Sequence, residues 1–170
     1  MKKWMLGACM CLVVLTACDK DDDDDDLNDT DRNYVMMAGL SNNAEITAGQ
    51  VAASKGNTAM VRAFGQHMVS EHSVAQNDLK NRASGLGLSA PDTVDAEHKA
   101  LMVRLNSLSG VSFDTAYMNA QLKDHAKTID IFNTEINGGS HSNIRGFAVD
   151  NLPHIQMHYN RADSIRRALP

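Results

Sequence analysis

From Asp31 to the C-terminus, apolar residues recur at three- and four-residue intervals, the spacing of helices that bury one face. Proline stands only at Pro91, Pro153 and Pro170, so the stretches between breakers are long. Turn residues divide them. Gly56-Asn57 predicts the end of a first helix near Ser54 and the start of a second near Thr58. Ser84-Gly85-Leu86-Gly87 ends the second near Ala83, and a shorter helix is predicted over about Val94–Leu108. A third long helix runs from about Ser112 to Asn137, and Gly138-Gly139-Ser140 breaks it. The fourth runs from about Ser142 to Ala168, with a bend expected at Pro153. No alternating strand pattern stands out, and no segment is read as a repeat of fixed period.

Two short turns and one long connection predict two antiparallel hairpins joined by a crossover. That is an all-α, ferritin-like four-helix bundle with a short extra helix in the crossover. The runner-up is an up-down bundle with a fifth helix packed outside.

Composition changes the picture at the N-terminus. Lys2 and Lys3 precede an apolar run, Trp4 to Leu15, that is too short to span a bilayer. It ends in Leu15-Thr16-Ala17-Cys18, which resembles a bacterial lipobox and predicts lipidation at Cys18 after removal of residues 1–17. Cys9 and Cys11 leave with that segment, so the mature chain is expected to hold neither a disulfide nor a thiolate metal site. Residues 18–32 read as a lipidated cysteine with an acidic tether, and 33–170 as the bundle domain. Lys20 followed by acids resembles a surface-export signal of Bacteroidota lipoproteins, whereas Asp19 directly after Cys18 resembles an inner-membrane retention signal. The outer membrane is the favoured address, with surface display open and the periplasmic face of the inner membrane as the alternative.

Of the 21 acidic residues, nine precede residue 33, leaving 12, and four of the 16 basic residues do so, leaving 12. The net charge of −5 therefore belongs to the tether, and the body is neutral. A neutral body with 5% aromatic residues lacks the basic footprint and stacking platforms of a nucleic-acid binder.

One ionisable residue interrupts the apolar stripe on each long helix: Glu45, His72, His125 and His158. With a rise of ~1.5 Å per residue, all four fall in the middle third of a bundle roughly 40 Å tall. Three imidazoles and a carboxylate suit Zn²⁺ or another borderline divalent ion, and Met68, Met118 and Met157 leave copper open. The competing explanation is ordinary: a histidine on a helical stripe is commonly a hydrogen-bonded core residue. His67 with Glu71, Asp95-Ala96-Glu97-His98, Asp124, Asp150 with His154, Asp114 and His141 are weaker candidates, each explicable by solvation or capping. No nucleophile elbow, phosphate loop or redox cysteine pair occurs.

The order of Ala44-Glu45, Phe64…His67-Met68…Glu71-His72, Phe113-Asp114…Tyr117, Asp124-His125 and Leu152-Pro153…His158 resembles the bacterial domain of unknown function 4142 family. The resemblance spans about residues 31–168. It implies an exported ferritin-like bundle and no established activity. The chain has only Glu45, Glu71, Glu97 and Glu135 and no Glu-x-x-His, so a carboxylate-bridged di-iron centre is not expected. Three functions stay open. A non-enzymatic envelope stress, structural or interaction module with a protein partner is preferred on sequence alone. A metal-binding protein and a ferritin-like redox enzyme are the alternatives.

Overall fold

The computed structural model describes residues 26–170, so the expected signal peptide, Cys18 and most of the tether lie outside the described residues. Five helices follow in order: α1 (Asp29–Lys55), α2 (Ala59–Ser84), α3 (Ala96–Ser107), α4 (Gly110–Gly138) and α5 (Ser142–Ala168). There is no strand among the described residues, and none of their helices is long and apolar enough to cross a membrane. The chain is an all-α bundle in the ferritin-like arrangement: hairpins α1–α2 and α4–α5, with α3 in the crossover. α5 continues through Pro153 as one helix.

α1 starts four residues before the boundary at residue 33. Asn28 accepts from the Asp31 amide, and Asp31 accepts from the Asn28 amide, a reciprocal capping box. Asp31 therefore belongs to the folded body rather than to the tether, and it is fully buried. It also reaches across the bundle to take the amides of Ser140 and His141 in the α4–α5 turn, at 3.2 Å each. Asp114 does the same at the other end. It takes the amides of Asn57 and Thr58 in the α1–α2 turn, at 2.7 and 2.9 Å. Sequence spacing explained Asp114 as a local helix-start residue; in the fold it caps α2 from α4.

These two contacts expose an internal two-fold relationship that was not legible as a repeat. Asp31 and Asp114 are 83 positions apart (114 − 31), and so are Tyr34 and Tyr117, Gly56 and Gly139, Arg62 and Arg145, and Phe64 and Phe147. The shared positions do shared work. Arg62 donates to the Gly56 carbonyl and Arg145 to the Gly139 carbonyl, at 2.8 and 3.1 Å.

Small residues bring the first hairpin together. A Cβ placed on Gly49 would stand 2.7 Å from the Gly65 carbonyl oxygen, and one on Gly65 would stand 2.7 Å from that of Gly49. Only glycine at both positions permits this backbone approach.

The core divides into two apolar clusters. Val61, Phe64, Met68, Phe113, Tyr117 and Met118 fill one end of the bundle, with Leu105 of α3 packed on them. Tyr34, Val35, Leu79, Phe132, Ile144 and Phe147 fill the other. Between the clusters lies a buried polar layer that includes Asn42, Glu45, His72, Gln76, Gln121, His125 and His158.

Candidate metal centre

The polar layer takes one segment from each long helix. Asn42 and Glu45 come from α1, His72 and Gln76 from α2, Gln121 and His125 from α4, and His158 from α5. His72, His125 and His158 each offer one ring nitrogen within 4.8 Å of the other two. Their ring centroids lie 5.3–5.7 Å apart. All three are buried, at 1–3% exposure.

The remaining nitrogens set the orientation. His72 Nδ1 lies 3.0 Å from Asn42 Oδ1, which can only accept, so Nδ1 carries the proton and Nε2 is left with a lone pair. Asn42 is itself held: its amide donates to Gln76 Oε1, and Gln76 donates to the Pro91 carbonyl of the crossover. His125 Nδ1 lies 3.0 Å from the Gln121 carbonyl oxygen, which likewise fixes its proton there. Nε2 of His72, Nε2 of His125 and both ring nitrogens of His158 are buried without a hydrogen-bond partner. A buried polar atom left unpaired costs about 1–3 kcal/mol. One nitrogen of each ring lies within reach of the other two, the pattern of a ligand set, because a cation would engage one nitrogen of each ring.

Burial suits the rings to that role. Desolvation, and then the neighbouring imidazoles, hold His72 well below the usual imidazole range. The same causes push His158 down to about 3, so both are neutral and able to ligate at physiological pH. A tetrahedral ion at ~2.0–2.1 Å from each nitrogen places the nitrogens about 3.3–3.4 Å apart, a contraction of at most about 1.5 Å from the 4.8 Å limit.

Glu45 does not join the trio. Its Oε1 stands 3.5 Å from His125 Nδ1, and its Oε2 accepts from Gln121 Nε2 at 2.6 Å. It stands behind one ring of the trio, on the side that a carboxylate takes where it orients a metal-binding histidine. Burial pushes the Glu45 carboxyl up, and the His125 ring partly offsets this. Of the methionines, Met157 is 48% exposed, and Met68 and Met118 belong to the apolar cluster.

The weaker candidates resolve individually. His98 is buried between Asp95, at 2.7 Å, and Asp124, at 3.6 Å. Those carboxylates raise it to about 9, against the opposing effect of burial. It is thus a cation holding α3 on α4, rather than a ligand. Asp150 pairs with Arg82 at 3.4 Å, and His141 caps α5 by accepting from the Asn143 amide. His154 sits 3.7 Å from Glu71. His67, read from spacing as solvated, lies edge-on to His158 at 5.2 Å with a buried, unpartnered Nε2. Asn42 and Gln121 gave no signal in the sequence, since neutral amides on a helix do not mark a site; their only clue is placement in register with the histidines.

Three buried imidazoles with unpartnered ring nitrogens thus stand at mid-height in the four-helix bundle. The family model for the domain of unknown function DUF4142 matches residues 16–165, and the chain belongs to that family. No curated protein and no solved structure matches it.

Proposed function

We propose that the chain is a divalent-cation-binding protein of the cell envelope that holds one ion of the zinc class on His72, His125 and His158. The convergence of their unpartnered ring nitrogens carries this reading. Three imidazoles favour zinc and its neighbours over magnesium or calcium, which take oxygen ligands. Three protein ligands leave a fourth position for water or an exchangeable group, which suits carriage or transfer of an ion better than a closed structural site. The body is tethered to a membrane through Cys18, in the outer membrane by preference, and the acidic stretch sets it off the surface.

The purely structural or interaction module receives less support. Exposed large apolar side chains, such as Met36, Val74, Val103 and Val149, are spread over all five helices rather than gathered on one. A structural module also gives no use to four buried, unpaired nitrogens.

Metal analysis of the full-length, tag-free chain, followed by thermal melts with added Zn²⁺, tests the reading. One equivalent of metal and a melting temperature that rises with Zn²⁺ are expected. Sub-stoichiometric metal with no melting shift would reject it. Protease treatment of intact cells tests the address: digestion before lysis indicates surface display, and digestion only after lysis places the domain inside.

A further inference from the structure

The centre lies deep in the bundle, so an ion must have a way in. The apolar clusters close both ends. On the α1 side, the Asn42–Gln76–Pro91 and Glu45–Gln121 hydrogen bonds fill the space. The pocket bordered by Glu45, His98 and Asp124 has about 10 Å³ and touches none of the three imidazoles. One water needs about 10–15 Å³ of such space, so a hydrated cation does not fit.

The α2–α5 groove differs. It has about 140 Å³ and is lined by His72 and His158, with Ala75 and Asn151 along its walls. Glu71 and His154 also line it. Their side chains are 39% and 56% exposed, and Glu71 Oε2 lies 3.7 Å from His154 Nδ1. The groove therefore leads from a carboxylate and an imidazole in contact with solvent to two imidazoles that have almost no exposure. His158, 1% exposed, lines it with both ring nitrogens unpartnered.

We propose that this groove is the loading port for the divalent cation, with Glu71 and His154 as a transient ligand pair that passes the ion to His158. The inference rests on the metal-binding reading of the three-imidazole centre. A bare cation cannot cross an apolar wall, because desolvating an unpaired charge is prohibitive. A path on which each lost water is replaced by a protein lone pair avoids that cost. Glu71 supplies charge where the ion arrives, and His154 supplies the nitrogen that begins the change from oxygen to imidazole ligation. Such a pair lowers the barrier in both directions and leaves the equilibrium in place.

Stopped-flow mixing of the full-length apo chain with Co²⁺, read by the visible absorption of the imidazole-bound ion, tests this. The double variant Glu71→Gln/His154→Gln is expected to bind about tenfold more slowly, the low end of the range for charge-steered arrival. Release into a chelator should slow by a similar factor, leaving affinity within about twofold and the final spectrum unchanged. Val74→Trp, at a 69% exposed position beside the groove, should slow loading with the same preserved affinity and spectrum. An unchanged association rate in either variant overturns the port. So does lost affinity with normal association in the double variant, since it would make the pair resident ligands. If the wild-type chain gives no cobalt spectrum at all, the centre itself fails, an outcome distinct from failure of the port alone.

Discussion

Glu45 Oε1 lies 3.5 Å from Nδ1 of His125, the ring nitrogen that also faces the Gln121 carbonyl oxygen at 3.0 Å. On the metal-binding reading, the carboxylate would act on the centre through that ring. Glu45→Gln keeps the side-chain length and an oxygen for Gln121 while removing the charge behind His125. Zinc affinity is expected to fall about 10- to 100-fold with one-to-one stoichiometry retained, as for other groups that back a ligand. Competition titration against a chromophoric chelator measures it; unchanged affinity would show that Glu45 serves packing only.

His158 has no partner for either ring nitrogen, so the metal-free fold bears its desolvation uncompensated. Leucine has a similar volume and no polar atoms. His158→Leu is therefore expected to raise the metal-free melting temperature by about 2–4 °C, the shift that ~1 kcal/mol produces in a domain of this size. The same variant should lose the Zn²⁺-dependent rise. A lower metal-free melting temperature would mean that His158 has a structural partner.

How much of this was legible in the sequence depends on what each residue signals. The histidines were legible because each breaks an apolar stripe, and a fixed helical rise converts sequence distance into height. Height carries no information about rotation, so Glu45 could be placed at the right level and still not be placed behind His125. The two-fold relationship escaped because its shared residues, such as Asp31 with Asp114 and Arg62 with Arg145, are sparse and lie far apart. At the centre the symmetry is also broken: the position equivalent to His125 is Asn42, and that equivalent to His72 is Ile155 (offset 83). Asp114 looked local because a first-turn acid ordinarily caps its own helix.

Asp31 and Asp114 hold opposite turns, roughly 40 Å apart at ~1.5 Å rise per residue. Each accepts at least two backbone amides while buried. Replacing either with alanine strands those donors and is expected to cost about 2–4 kcal/mol. The double variant should show additive losses, because the sites share no partner. Denaturant unfolding gives the values; strong coupling would show that the two turns fold as one unit.

Glu135 is fully buried beside Asp31. Burial, and then the neighbouring carboxylate, push it up to about 8 from an ordinary value near 4.5. A raised folded value means that its contribution is complete below about pH 4.5 and is lost as pH rises through about 8. Glu135→Gln keeps the neutral shape without the titration. The variant is expected to gain more than about 1 kcal/mol over wild type at pH 8 and to match it near pH 4. Parallel unfolding curves at the two pH values check this, and a constant difference would contradict it.

The central claim is that three imidazoles share one ion. X-ray absorption of the zinc-loaded full-length chain addresses it most directly, because imidazole rings leave an outer-shell scattering pattern that carboxylates and water lack. A nitrogen shell at ~2.0–2.1 Å fitted by three imidazoles is the expected result. An oxygen-only shell without imidazole scattering would contradict the centre.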